Sequence, residues 1–180
     1  MIRRINIFGA PGCGKSTIAA RLFSDLKKNG QNVEYCKEFV KEWAYEKRDI
    51  IGYDQFFVFA NQLRQEEIPL RSGVDTIITD SPLLLGAWYA FYENHRGILP
   101  MFDMVNDFDL QYTPLNIFIC RGDVPYQYLG RYETQEESQK IEWELREYLV
   151  SAGIPHLAFN TSEYDKIYEF VQKVRKYETN

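Results

Sequence analysis

Histidine, cysteine, excess positive charge and long apolar runs are all scarce in this chain. The three cysteines, Cys13, Cys36 and Cys120, are an odd number without paired spacing. That excludes a disulfide framework and suits a reducing compartment, so the expected location is cytoplasmic. The two histidines, His95 and His156, stand alone with no metal-ligand spacing, and neither is assigned a role. No apolar run approaches the roughly 18 residues of a membrane span, and no membrane partner is expected. The basic opening Met1-Ile2-Arg3-Arg4 leads into an apolar stretch that stops at Gly9, too short for a secretory signal. Lys and Arg total 21 against 26 Asp and Glu, for a net charge of −5. An acidic total argues against broad, sequence-blind nucleic-acid binding, though it leaves room for a local basic cleft. What remains is 180 residues with 45% hydrophobic, 26% charged and 16% aromatic content. Such a chain is expected to form one globular domain over residues 1–180, burying roughly 70% of its unfolded surface.

Periodicity sets out the elements in order. Ile5 to Phe8 reads as a buried strand ending at a glycine cluster, and Ser16 to Asn29 as a helix through Ile18, Ala19, Leu22, Phe23 and Leu26. Asn32 to Phe39 holds a second strand, and Asp54 to Leu70 a helix punctuated by Pro69 and Gly73. Thr76 to Thr79 is a third strand. A helix from Leu83 to about Asn94 follows, and another around Met101 to Leu110. Leu115 to Cys120 reads as a fourth strand, apolar apart from Asn116. Glu133 to Val150 is a charged helix, Pro155 to Phe159 a last strand and Glu163 to Tyr177 a closing helix. Strands alternating with helices imply crossover connections, hence an α/β fold with a mostly parallel five-stranded sheet covered on both faces.

The segment Gly9-Ala10-Pro11-Gly12-Cys13-Gly14-Lys15-Ser16-Thr17 fits G-x-x-x-x-G-K-[ST] between a strand and an amphipathic helix. Glycines let successive N–H groups turn inward toward phosphate oxygens, and the helix adds its N-terminal donors and dipole. Lys15 is placed to reach the β and γ phosphates of ATP. The Ser16 hydroxyl is placed to hold Mg²⁺, and Thr17 to lie near the α phosphate. Cys13 reads as a small loop-filling residue or, at a helix N-terminus, a thiol of lowered pKa.

Asp80 ends the third strand and Glu38 the second, and carboxyl ends of parallel strands border the ligand crevice. Either carboxylate is a candidate base for an attacking hydroxyl, and Asp80 can also orient Mg²⁺. The bland alternatives are a helix cap at Asp80, a role Ser81 can fill instead, and an ordinary surface position for Glu38. Arg121, Asp123 and Arg131 lie between the fourth strand and the long helix, in a region of about residues 121–135 that reads as a lid. An arginine there, Arg131 ahead of Arg121, can stabilise a transferring phosphoryl group and help exclude water. Arg64, Gln62 and Phe56, with Asn61, Phe57 and Phe59, are candidates to line an acceptor pocket, since rings and amides suit a nucleobase. At helical spacing the same rings also read as core.

Taken with Glu38, Asp54-Gln55, Asn61-Gln62 and Ile78-Thr79-Asp80-Ser81-Pro82-Leu83-Leu84, the phosphate loop resembles small bacteriophage P-loop kinases. These are similar to the ribosylnicotinamide-kinase domain and, more distantly, to thymidylate and deoxynucleoside kinases. The resemblance spans almost the whole chain. It implies ATP and Mg²⁺ at Lys15, Ser16 and Thr17, an acidic base at Glu38 or Asp80, and a lid arginine at Arg131. It further implies a host-cytoplasm location and a nucleoside-like acceptor, either free or as 5-hydroxymethyluracil within phage DNA, on a monomer or homodimer. Ser81 and Pro82 follow Asp80 where nucleoside and thymidylate kinases usually carry arginine, which leaves the acceptor open. The rival function is a nucleotide-dependent switch or partner-binding NTPase. No N-K-x-D guanine motif is present, and the short chain lacks room for the extra helical domain of a motor ATPase.

Overall fold

The computed structural model describes residues 2–94 and 98–177, so His95 lies outside the described residues. Five parallel strands, β1 (Arg4–Phe8), β2 (Val33–Cys36), β3 (Thr76–Thr79), β4 (Pro114–Cys120) and β5 (Leu157–Asn160), form one sheet in the order β2-β3-β1-β4-β5. Helices α1 (Lys15–Lys28), α2 (Lys41–Glu46), α3 (Asp54–Arg71), α4 (Leu83–Tyr92), α5 (Leu99–Gln111), α6 (Gln135–Ser151) and α7 (Tyr164–Tyr177) connect and cover it. The expected mostly parallel α/β architecture is therefore the observed one.

The strand pleat divides the core in two. Ile5, Ile7, Ile78, Ile117 and Ile119 turn to one face and pack on Ile18, Leu22 and Leu26 of α1 and Ile167 and Val171 of α7. Phe8, Ile77 and Phe118 turn to the other face, against α3, α4, α5 and α6. Burial on both faces is what makes the strands read as continuous apolar runs. The polar exceptions are paired: Asn6 Nδ2 donates to Asn116 Oδ1 at 3.0 Å between residues in register, and Asn116 Nδ2 donates to Pro155 O at 3.1 Å.

Pro69 does not stop α3, which runs on to Arg71. A proline leaves the carbonyl four residues earlier without its helical donor. That carbonyl, Gln65 O, takes the Cys36 thiol at 3.3 Å instead. Helix α2 was not expected: at six residues, with only Trp43 buried, it carries too little periodicity to be read. Ser81 is not a helix cap either. The residue preceding α4 is Pro82, with no side-chain cap, and the Ser81 N–H goes to Thr79 Oγ1 at 3.2 Å.

Candidate active site

The β1–α1 turn has the backbone of an anion cradle. Gly9 and Gly12 adopt φ of 145° and 75°, and a Cβ at Gly9 would come within 2.6 Å of both Ile119 O and Cys13 Sγ. A Cβ at Gly12 would meet the Tyr126 ring at 2.8 Å, so glycine is required by conformation and by space. The loop is fastened from behind. Arg121 Nη2 donates to Pro11 O at 2.8 Å and to Ser138 Oγ at 2.5 Å, and Ser138 Oγ donates to the same carbonyl at 2.6 Å. Thr161 Oγ1 donates to Cys13 O at 2.7 Å and also lies 3.0 Å from Cys120 O and Arg121 O. Lys15 Nζ donates to Ala10 O at 2.9 Å, folding back onto the loop whose ligand it is placed to meet. Cys13 is buried and burial pushes its thiol up, which favours loop filling over a reactive thiolate. Thr17 lies exposed in the first turn of α1.

Asp80 is buried at the end of β3. The Tyr35 hydroxyl donates to its Oδ2 at 3.0 Å. Burial, then the Asp80 charge, raise the Tyr35 phenol, so it stays a donor. Asp80 Oδ1 is buried without a protein partner among the described residues. An orphaned carboxylate oxygen at the end of β3 fits Mg²⁺, which takes one or two protein oxygens and completes its shell with water and phosphate.

Beside Lys15 and Pro11 opens a cavity of about 450 Å³. Glu38, Lys41, Gln55, Ser81, Tyr89, Glu93, Arg131, Tyr132 and Glu133 are in its wall. Burial pushes the Glu38 carboxyl up and Asp80 adds to this, while Lys15, Lys41 and Arg131 pull it down. Glu133 is likewise pushed up by burial, against Lys15 and Arg131. The Arg131 Nε lies 3.5 Å from where a Gly12 Cβ would stand, so this side chain bridges cavity and phosphate loop. Across the mouth, Tyr132 Oη donates to Arg48 O at 2.7 Å, and Gly130 abuts the Tyr45 ring so closely that a Cβ would come within 2.6 Å of it.

Of the residues expected from sequence, the structure brings Lys15, Glu38 and Arg131 to one cavity, while Ser16 and Asp80 are the chain neighbours of its wall residues Lys15 and Ser81. Four others are placed elsewhere. Arg64 is exposed on α3 and Phe56 packs against the core, so neither is in the cavity wall. Gln62 is buried behind the wall, and Arg121 is committed to the back of the phosphate loop with its guanidinium over the Tyr126 ring, 4.8 Å from its centroid. The faces of α3 explain the miss: Gln55 and Val58 reach the cavity, while Arg64 lies on its exposed side. Sequence reading also passed over Tyr89, Glu93 and Glu133. The one available signal was position, since Glu133 follows Arg131 by two residues and Tyr89 lies in the helix after Asp80.

Fold and glycine loop together define a P-loop nucleotide-binding α/β protein. The AAA domain family model matches residues 4–166, and the chain belongs to that family. Among solved structures, NadR protein in complex with NR superposes with a TM-score of 0.71 at 14% identity, covering 96% of this chain and 49% of that one. NadR protein in complex with NAD and AMP-PNP gives a TM-score of 0.66 at 13% identity with the same coverages of 96% and 49%. APE1195 gives 0.51 at 18% identity, covering 96% of each chain. At these identities the likeness is one of fold, and the chain spans about half the length of the NadR structures. A comparison with curated proteins finds no match. Among the described residues no helix is long and apolar enough to cross a membrane, and no cluster of three His, Cys, Asp or Glu side chains could hold a metal by itself.

Proposed function

We propose that this protein is a Mg²⁺-dependent kinase that transfers the γ-phosphoryl group of ATP to a hydroxyl of a nucleoside-type acceptor held in the cavity. The observation that carries this reading is the position of Glu38: a carboxylate of raised pKa in the same cavity wall as Lys15 and Arg131. A switch that only hydrolyses nucleotide has no need of an acceptor chamber, and about 450 Å³ accommodates one small ligand. NadR protein, half of whose length shares this fold, is solved with NR and separately with NAD and AMP-PNP, which supports a nucleoside beside a nucleotide here.

In this mechanism the loop N–H groups and Lys15 hold the triphosphate. The acceptor oxygen attacks the γ phosphorus as the bond to the bridging oxygen of ADP breaks. Glu38 takes the hydroxyl proton, and a carboxylate of raised pKa is the better base near neutrality. Lys15 and Arg131 offset the charge spread over the phosphoryl oxygens, and positioning supplies most of the rest. Ser16 and Asp80 would hold Mg²⁺, whose charge would help neutralise the triphosphate. Residues 1–180 act as one kinase unit in this reading, with residues 121–135 as its lid.

The test incubates the protein with γ-labelled ATP and Mg²⁺, offering nucleosides including ribosylnicotinamide, nucleotides, and duplex DNA with or without 5-hydroxymethyluracil. Label is expected in a nucleoside-type acceptor. Label only in the DNA that carries 5-hydroxymethyluracil would name that base as acceptor. Inorganic phosphate released at a rate no acceptor changes would overturn the kinase reading in favour of an NTPase switch.

A further inference from the structure

Behind the cavity wall runs a chain of buried polar groups that the mechanism above leaves unused. Gln62 on α3 is 5% exposed, too deep to touch a ligand. Its Oε1 accepts the Phe39 N–H at 3.1 Å, on the segment just after Glu38. Its Nε2 donates to Glu66 Oε1 at 3.2 Å and lies 3.4 Å from Thr79 Oγ1, on the residue just before Asp80. Thr79 Oγ1 in turn accepts the Ser81 N–H at 3.2 Å. One amide therefore touches the neighbours of both carboxylates.

We propose that Gln62 is a positioning residue, a buried tie between the segment carrying Glu38 and the strand end carrying Asp80 that fixes how the two carboxylates stand to each other. The inference rests on the kinase reading for its catalytic consequence, though not for its geometry.

The orientation of the amide is not free. Phe39 N–H is a donor and can meet only the oxygen end of Gln62. With the oxygen end so claimed, the nitrogen end faces Glu66, whose carboxyl burial pushes up to about 7 against the pull of Arg4 and whose Oε1 accepts the amide. Glu66, fully buried, is held in turn by Arg4 at 3.6 Å, and Arg4 also pairs with Asp109 on α5. Arg4, Glu66 and Gln62 thus form a buried line from β1 to α3 that begins at the partly exposed Asp109 on α5 and ends at the site. Such networks specify one arrangement when satisfied and are costly when broken, because the partner left behind is buried and unpaired. Helix α3 supplies the rigid base that the loop after β2 lacks. Without the tie the Glu38 segment would be held to α3 by the Phe39–Phe57 ring contact, 5.8 Å between centroids, and by the Cys36 thiol on Gln65 O, neither of which fixes the Phe39 backbone.

The test uses three variants of the full chain. Gln62→Leu keeps bulk and removes the tie. Gln62→Glu keeps the acceptor for Phe39 but sets a carboxylate against Glu66. The double variant Gln62→Glu, Glu66→Gln exchanges the two groups and restores the hydrogen bond between positions 62 and 66, with Asp109 left as the carboxylate partner of Arg4. Each is checked for folding by thermal melt, then read for amide hydrogen exchange at Phe39 and for steady-state transfer. In Gln62→Leu, exchange at Phe39 should rise by at least about tenfold, since the loss of one such bond is worth about that much. Its kcat should fall by about 10²-fold with the KM for ATP unchanged, the scale of a misplaced catalytic group. The exchanged pair should recover most of the kcat that Gln62→Glu alone loses, a rescue that a purely space-filling role would not show. Should Gln62→Leu fail to fold, Gln62→Glu and its rescue carry the test.

A folded Gln62→Leu protein with wild-type kcat, or with unchanged Phe39 exchange, would overturn the proposal. If the wild-type protein instead hydrolyses ATP with no acceptor, the kinase reading falls and the variants are read on that hydrolysis. A wild-type hydrolysis rate in Gln62→Leu would then overturn the tie separately.

Discussion

The two ends of the crevice are built by different means. The phosphate end comes from one continuous segment, Gly9 to Thr17, whose backbone does the binding and whose glycines are demanded by neighbours 2.6 to 2.8 Å from any added Cβ. The acceptor end comes from side chains on the loop after β2, on α2, α3 and α4, and on the lid, segments far apart in sequence. A backbone site tolerates little change and binds the same phosphate in every chain that has it. A side-chain site can be rebuilt one wall at a time, so it is where one member of such a fold differs from the next. In the proposed kinase, nucleotide binding is therefore the general property and the acceptor wall the particular one.

The sharpest test of that contrast is Lys15→Ala, which keeps the loop backbone and removes its only cationic side chain. Phosphoryl transfer is expected to fall by about 10³-fold, as when a transition-state donor is lost. The Lys15–Ala10 contact is one partly buried hydrogen bond, so its loss should cost about 1 kcal/mol or less and leave the fold intact. Transfer assay and thermal melt together check it. A folded Lys15→Ala enzyme with wild-type turnover would mean that the loop backbone alone suffices, and the proposed division of labour would be wrong.

Glu38→Gln strikes the other end, with an expected loss of about 10²-fold in kcat and little change in ATP binding. The pH profile carries more information than the single rate. A base works only when ionised, and burial raises Glu38 above its ordinary value of 4.5. Activity should therefore fall as pH drops through a pKa above the usual carboxylate range, and Glu38→Gln should lose that limb. Arg131 helps to hold Glu38 down, so Arg131→Ala should move the limb to higher pH while also slowing transfer. A limb unmoved in Arg131→Ala and still present in Glu38→Gln would point to another group, with Glu133 the first to examine because it too is raised in the same wall.

The same contrast governs what the sequence disclosed. The phosphate loop is legible because its chemistry lies in local backbone conformation, which a nine-residue pattern encodes. The strands are legible because each is buried on both faces and reads as a short apolar run ending near a turn. The acceptor wall is not written that way. Phe56 and Gln55 are adjacent on α3, yet only Gln55 lines the cavity, and the helix phase that decides between them depends on how α3 packs against α4. Arg121 looked like a lid arginine because it follows β4, but its side chain turns under the phosphate loop to reach Pro11 O. No local pattern distinguishes those two directions, since the deciding partners, Pro11 and Ser138, are 110 and 17 residues away. Gln62 shows the complementary error: an amide near a site was expected to face a ligand, whereas two buried partners claim it.

The smallest effect should come from the strap across the cavity mouth. Tyr132→Phe deletes one hydroxyl whose hydrogen bond to Arg48 O spans 84 residues of sequence and joins the lid to the segment after α2. The site is exposed, so water replaces much of what is lost and the net cost should be about 0.5 to 1 kcal/mol. That energy belongs to the closed arrangement around the acceptor and not to the phosphate loop. The expected result is a rise of about two- to fivefold in the acceptor KM, with the ATP KM and the thermal melt unchanged. If the ATP KM rose in step, the two ends of the crevice would be coupled through the lid, by way of Tyr126, whose ring covers Gly12 and whose hydroxyl donates to Glu133 O at 2.5 Å. Tyr126→Phe would then reproduce the effect on ATP, and the lid would have to be counted as part of both sites.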